Sequence, residues 1–456
     1  MSQTIATDVA RAIAAARAAQ PVWEAMPVAE RIAVIEACAR ELGTRAGDLA
    51  ATISAETGKP RWEAKAEVAS MVAKIPITIE AWRERRSDAI SHHNGDISAT
   101  RYRAHGVLAV LGPFNFPGHI PHGHIVPAVL AGNTVVFKPS ERTPLVGEQT
   151  VQIWERAGLP PGVLNLVQGG RETGVALTGH PGLDGILFTG SFETGIALRR
   201  ALADTPAKIL ALEMGGNNPL VVHDVADVDA AALLTILSAF LSAGQRCTSA
   251  RRLVVTDWPG RAAFLERLVA RSALIRVGLP ADEPEPFMGP VIDETTARRL
   301  LAAQAALVSR GGRSLLEMQP LRGRPTLLSP GIVDVTAVAE RADVEWFGPL
   351  LQVIRVTDFE AAIAEANRTS YGLVAGLLSD NAACSVAFRN RVRAGLVNWN
   401  QPTTGASSRL PFGGVGKSGN HRPSGSFAID SCSYPVASLE RDRVAPPAAP
   451  PPGLDS

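Results

Sequence analysis

Lysine is scarce in this 456-residue chain. Six occur, Lys59, Lys65, Lys74, Lys138, Lys208 and Lys417, among 45 basic residues, so cationic chemistry falls mainly to arginine and a lysine at a chemical site stands out. Excess charge is lacking too. The 45 Lys+Arg against 44 Asp+Glu leave +1, so no overall field draws in nucleic acid or an anionic membrane surface, and a charged ligand must be met locally. The four cysteines, Cys38, Cys247, Cys384 and Cys432, are far apart and form no CxxC pair. That excludes a disulfide framework and a zinc finger, and points to a reducing, cytoplasmic compartment. No run reaches the ~18 apolar residues of a membrane span, and the start lacks a secretory pattern. The opening is Ala/Arg-rich enough to leave an organellar address open, although Asp8 weakens that reading.

At ~150 residues per domain the length suggests about three domains. Residues 5–75 carry apolar positions at three and four spacing, as in Ile32, Ile35 and Leu42, which predicts amphipathic helices. From 105 the texture changes to short apolar runs that end at glycine or polar turns: 106–112, 134–140, 164–169 and 185–191. These read as buried strands, alternating with helix-length segments near 120–131, 144–157 and 172–180, the pattern of a parallel α/β sheet. A second set follows, with strands at 220–224, 252–257, 351–356, 372–380 and 395–400 and a helix near 228–243. Alternation in 86–104, with an Asn94-Gly95 turn, and in 431–440 reads as strands of an edge or bridge. The Pro-rich stretch 441–456 predicts a disordered tail.

Several residues carry chemistry. Cys247 in GQRCTSARR lies where a helical segment gives way to a Gly-containing loop, with Arg246 beside it to favour the thiolate; the alternative is a buried core cysteine. Glu213 ends the apolar run KILALE ahead of a Gly-Gly pair, at the strand edge where open α/β sheets bind ligands; alone it also fits a helix-capping turn. Asn115 in GPFNFPGHIP can donate to an oxyanion or form an Asx turn. FTGSFETG is a strand, glycine turn and helix start of the kind that points N–H groups at phosphate. In FKPSE, Lys138 and Glu141 can grip ribose hydroxyls, and the carboxylate would repel a 2′-phosphate, favouring NAD over NADP. His119, His122 and His124 invite a metal reading, which Pro121, Gly123 and the lack of a carboxylate or thiol argue against.

In order, GPFNFP, FKPSE, FTGSFETG, LEMGGNNP, GQRCTSARR, EWFGPL, NRTSYGLVAGLLSD and LPFGGVGKSG resemble the NAD(P)-dependent aldehyde dehydrogenase superfamily over about residues 10–440. FPGHIPHGHIVPAVLAGNTVVFKPSE and FGGVGKSGNHRPSG look like the branch that oxidises N-succinylglutamate 5-semialdehyde in arginine catabolism. The resemblance implies Cys247 as nucleophile, Asn115 as oxyanion donor and Glu213 as the base that hydrolyses the thioester. Burial is the available means of bringing Glu213 near neutrality. It also implies a cofactor site for NAD: Gly190, Ser191, Phe192, Glu193, Thr194 and Gly195 at pyrophosphate, Lys138 and Glu141 at the adenosine ribose, and Glu345 and Phe347 at the nicotinamide riboside. The proposed substrate is a dianion, for which Arg246, His119, His421 and Arg422 are candidate contacts. Most members carry a second glutamate near Pro423, where this chain reads Asn420-His421-Arg422-Pro423.

The implied fold is α/β and aldehyde dehydrogenase-like. It has a Rossmann-type NAD-binding domain (1–85 and 105–214), an α/β catalytic domain (215–415) and a small discontinuous bridging element for oligomerisation (86–104 and 431–440). The expected partners are a small-molecule aldehyde and further copies of the chain in a homodimer or homotetramer, with no metal, nucleic acid or membrane. Members usually carry further residues ahead of the helix near Asp8, forming strands of the cofactor domain, which this sequence does not show. The competing functions are oxidation of succinic or glutamic semialdehyde, a CoA-acylating relative, and a non-catalytic nucleotide-binding scaffold.

Overall fold

The computed structural model describes residues 3–93, 96–445 and 453. Four helices open the chain, Gln3–Ala25, Val28–Thr44, Ala46–Thr57 and Arg61–Arg85. In Val28–Thr44 the buried residues Arg31, Ile35, Cys38 and Leu42 recur at the helical period, so one stripe faces the core. Gly58 stops the third helix at φ 73, and its N–H donates to the Ser54 carbonyl, a left-handed cap suited to glycine.

A five-stranded sheet follows, in the order Leu164–Leu166, Thr134–Lys138, Val107–Leu111, Gly185–Thr189 and Ile209–Glu213, every pair parallel. Its earliest strand is central, so connections leave to both sides and open a crevice at the carboxyl edge. Val107–Leu111 shows why a continuous apolar run is needed. Leu108 and Val110 pack with the opening helices, while Val107, Ala109 and Leu111 pack into a separate core with Val9, Ile13 and Leu198.

After Glu213 the chain passes into a seven-stranded sheet, ordered Arg313–Leu316, Gly331–Asp334, Leu350–Arg355, Ala250–Val255, Asn218–Val222, Val374–Leu378 and Leu396–Trp399. Only its edge strand Arg313–Leu316 runs antiparallel. Glu213 ends the last strand of the first sheet and Asn218 begins a strand of the second, so the carboxyl edge of one sheet meets the amino edge of the other. A third, antiparallel sheet sets Asp96–Ala104 between Ala89–His93 and Ser433–Glu440. The expected Asn94-Gly95 turn, and most of the tail from 446 on, lie outside the described residues.

The helix expected to run to 243 ends instead at Phe240. Ser242 and Ala243 take left-handed backbone conformations at φ 59 and 52, which turns the chain sharply ahead of Cys247. Helices Arg261–Ala273 and Glu294–Ser309 and the strands between 313 and 334 complete the second unit. Among the described residues no helix is long and apolar enough to cross a membrane.

Candidate active site

Cys247 sits at the meeting of the two sheet edges, between the turn at Ser242 and strand Ala250–Val255. Its loop is tied down from three sides. Asn218 Nδ2 donates to the Cys247 carbonyl at 2.6 Å and to the Ser249 carbonyl at 2.9 Å. Asn115 Nδ2 donates to the Gln245 carbonyl at 2.9 Å, which brings its buried amide to the cysteine loop. Arg251, fully buried on the strand that follows, donates to the carbonyls of Gly244 at 2.5 Å and Arg246 at 2.9 Å.

Arg246 favours the thiolate, as expected, but other effects outweigh it. Its guanidinium pairs with Glu63 at 2.9 Å, donates to Ser242 Oγ at 2.7 Å and lies 4.9 Å over the Phe116 ring. Burial pushes the Cys247 thiol up, the charges of Glu213 and Glu345 push it further, and Arg246 and Arg251 only partly oppose them. The fold thus favours the protonated thiol over the thiolate.

Glu213 is one of the two carboxylates whose charge reaches the thiol. It is 3% exposed, and burial raises its carboxyl from the ordinary 4.5 to about 8 against a hydrogen bond from Gly414 and the charge of Arg422. Its Oε1 is buried without a hydrogen-bond partner among the described residues. Across the loop, Glu345 Oε1 accepts from the Gly216 N–H at 3.1 Å, and its carboxylate lies 3.8 Å from Arg251. Burial raises Glu345 to about 7. A Cβ on Gly215, at φ 52, would run into this carboxylate, so the first glycine after Met214 is what lets Glu345 close over the turn.

The carboxyl edge of the five-stranded sheet carries the expected cofactor residues. Gly190 follows strand Gly185–Thr189, and Ser191 caps helix Phe192–Ala201 by accepting from the Thr194 N–H at 3.3 Å. A side chain on Gly195 would collide with Met214 Sδ, so the helix start packs directly against the residue after Glu213. Glu193, in the same first turn, adds to the upward push on Glu345. Lys138 ends its strand with Nζ on the carbonyls of Pro139 at 2.8 Å and Gly169 at 2.7 Å, 3.8 Å from the exposed carboxylate of Glu141. Phe347 meets Phe114 edge-on with ring centroids 5.9 Å apart, and the Arg251 guanidinium lies 5.3 Å over it. Glycine turn, helix start and strand-end lysine lie at the carboxyl edge of the five-stranded sheet, and Glu345 reaches the turn that follows Glu213 at that edge. This donor set fits a dinucleotide.

The substrate candidates divide. His119 lines the cysteine side, where the charge of Arg246 reaches it. Arg422 reaches Glu213 with its charge, whereas His421 is exposed. Arg246 is committed to Glu63. Asn420, at the departure from the second glutamate, stitches the segment to strand Ile209–Glu213: its Oδ1 accepts from the Leu212 N–H at 2.7 Å and its Nδ2 donates to the Leu210 carbonyl at 3.0 Å. Residues missed in the sequence sit on helix Arg61–Arg85. Glu63 binds Arg246, and Glu67 pairs with Lys59 at 2.8 Å while accepting from the N–H groups of Gly118 and His119. Glutamates four apart on a helix otherwise read as a solvated face, so the sequence carried no signal for them.

The sequence pattern of the aldehyde dehydrogenase family matches residues 1–436. The chain is 56% identical over 450 residues to an N-succinylglutamate 5-semialdehyde dehydrogenase of Pseudomonas fluorescens (strain Pf0-1), covering 98% of this chain and 92% of that protein. It is 55% identical over 449 residues to the protein of that name from Ectopseudomonas mendocina (strain ymp), with the same coverage. The crystal structure of a putative aldehyde dehydrogenase from Burkholderia cenocepacia superposes with a TM-score of 0.91 at 32% identity, covering 97% of this chain and 92% of that one. With two sheets meeting edge to edge over a cysteine and a buried carboxylate, and with this match along nearly its whole length, the chain belongs to the aldehyde dehydrogenase family.

Proposed function

We propose that this protein oxidises N-succinylglutamate 5-semialdehyde to N-succinylglutamate with NAD as acceptor, in the cytoplasm, through a thioester on Cys247 that water hydrolyses with Glu213 as general base. The observation that carries the chemistry is the buried Glu213 oxygen, unpaired among the described residues, whose charge reaches a thiol that burial holds protonated. Glu213 takes the Cys247 proton, and the thiolate sulfur attacks the aldehyde carbon. The carbonyl π pair moves to oxygen, where the Asn115 amide and the Cys247 backbone N–H receive it. NAD, when bound, supplies the two-electron acceptor for the aldehyde hydrogen. With its proton passed on, Glu213 next draws one from water, whose oxygen attacks the thioester carbon. The C–S bond breaks, the acid leaves and Cys247 is restored.

The substrate assignment is supported by the two relatives bearing that name. The preference for NAD rests on Glu141, whose exposed carboxylate would repel a 2′-phosphate at the ribose. Residues 1–85 and 105–214 would then serve as the NAD-binding domain and 215–415 as the catalytic domain. The three-stranded sheet of 86–104 and 431–440 exposes Ile90, Tyr434, Val436 and Leu439, which suits burial against a second copy in a homodimer or homotetramer. The test is a substrate panel. Purified protein is assayed with N-succinylglutamate, succinic and glutamic semialdehydes, each with NAD and NADP and with and without CoA, using Cys247→Ala as the blank. N-succinylglutamate 5-semialdehyde should lead in kcat/KM without CoA. A different leader overturns the substrate, and turnover by the blank overturns the mechanism.

A further inference from the structure

Lys74, on helix Arg61–Arg85, is a buried cation without an acid. It is 2% exposed, and its Nζ makes one hydrogen bond, donating to the Gly425 carbonyl at 2.6 Å. An ammonium has three donors, and burying one uncompensated is expensive. Its neighbours on the same side of the molecule are paired, Lys59 with Glu67 and Arg246 with Glu63, whereas no carboxylate pairs with Lys74 among the described residues.

Room remains beside Lys74 at Gly123. His119 and Gly123 lie one turn apart on helix His119–Leu130, and both keep part of their surface accessible, as does Gly425. A Cβ on Gly123 would meet only the Lys74 Cε, at 3.9 Å, so no side chain fills the room in front of it. His119 Nδ1 is buried without a partner among the described residues. Burial together with the Lys74 charge holds His119 down to about 4, so the ring is a neutral hydrogen-bonding group rather than a second cation. Lys74 itself is lowered by burial to about 8 and stays largely protonated at neutral pH.

This crevice adjoins the reacting centre. Arg246, next to Cys247, acts on His119, and Gly425 lies three residues beyond Arg422, whose charge reaches Glu213. His124, on the same helix as His119, holds Thr189 Oγ1 at 3.1 Å, and Thr189 is the strand partner of Glu213. We propose that Lys74 is a specificity-determining residue that binds a substrate carboxylate remote from the aldehyde, with His119 as a second hydrogen-bonding partner. The assignment rests on the dicarboxylate reading above. An ammonium is a compact point charge with three donors, of which the Gly425 carbonyl takes one, and a carboxylate can take others.

The experiment compares kcat/KM for N-succinylglutamate 5-semialdehyde with that for butanal, a neutral aldehyde. If wild type oxidises butanal but not the dicarboxylate, the substrate reading fails and this proposal with it. If wild type prefers the dicarboxylate, Lys74→Met, which keeps the volume and removes the charge, should lower the ratio at least ten-fold through a higher KM for the dicarboxylate, and Lys74→Arg should recover less than half of that loss. A ratio unchanged in Lys74→Met, with both substrates affected alike or neither affected, overturns the proposal while leaving the substrate intact. Should Lys74→Met not fold, Gly123→Ala decides, because alanine favours the helix and its methyl narrows the crevice with Lys74 in place. It should raise KM for the dicarboxylate more than for butanal, and an unchanged ratio there counts equally against the assignment.

Discussion

Replacing Glu213 by Gln should make the enzyme nearly inactive and more stable at once. The carboxyl is raised from 4.5 to about 8 because burial penalises its ionised form. A raised carboxyl pKa means the folded state holds a proton that the unfolded chain has released, so its contribution to stability is complete below pH 4.5 and is lost as pH climbs through 8. By pH 7 the gap of about 2.5 pH units amounts to roughly 3 kcal/mol, and above pH 8 to roughly 5 kcal/mol. Glutamine keeps the shape, can accept the Gly414 hydrogen bond and has no charge to desolvate, so that cost disappears. Differential scanning calorimetry from pH 5 to 9 should show E213Q and wild type close at pH 5 and diverging upward, with the variant a few degrees higher in Tm at pH 8. Turnover should fall about 10²–10⁴-fold through loss of the base. In stopped flow the first-turnover burst of reduced cofactor should slow as well, because the Cys247 thiol loses its proton acceptor. Parallel stability curves for the two proteins would refute the burial argument. A full-rate burst ahead of slow turnover would confine Glu213 to hydrolysis.

Wild-type kcat should rise with pH between 7 and 8, about five-fold where the base is limiting, since Glu213 is roughly one-tenth ionised at pH 7 and half ionised at pH 8; a flat profile over that range counts against it. Asn115→Ala should reduce kcat about 10²–10³-fold with KM little changed, as expected for a donor to a developing oxyanion, and a pure KM effect would place the amide at ground-state binding instead. Glu141→Ala should move the ratio of kcat/KM for NADP over NAD upward by a few-fold by removing one exposed negative charge; no movement would show that the 2′-position lies elsewhere. Leu439→Asp puts a charge on an apolar residue that is 88% exposed in the single chain. Light scattering after size exclusion should then report a smaller assembly than wild type, and an unchanged mass argues that the three-stranded sheet is not the contact.

The strands were legible because a parallel sheet buries both faces, leaving apolar runs such as GVLAVLG and GILFTGS with nothing polar between glycine stops. Glu213 and Cys247 were ambiguous one at a time, since a strand-end glutamate and a lone cysteine each have an ordinary structural use. It took the ordered set of motifs to raise them to a site. The break at Ser242 and Ala243 left no mark, because neither residue is a glycine that would advertise positive φ. The charged face of helix Arg61–Arg85 was equally hidden, since Glu63, Glu67 and Lys74 look like solvated positions until the helix at His119–Leu130 and the cysteine loop pack over them.

What the amino-acid sequence determined by itself is the alternation of helices and strands, the glycines at the turns, and the cysteine, carboxylate and amide proposed for the chemistry. These are local or nearly local facts, written in periodicity and in short motifs. The electrostatics belonged to the tertiary structure alone. Arg246 stands next to Cys247 in the chain and favours its ionisation, but in the fold it also pairs with Glu63, and burial, with the charges of Glu213 and Glu345 from distant segments, outweighs it and pushes the thiol up. Burial and long-range charge depend on what packs against a group rather than on what precedes it, and for that reason the surroundings of the Glu213 carboxylate and of the Lys74 ammonium emerged only from the assembled fold.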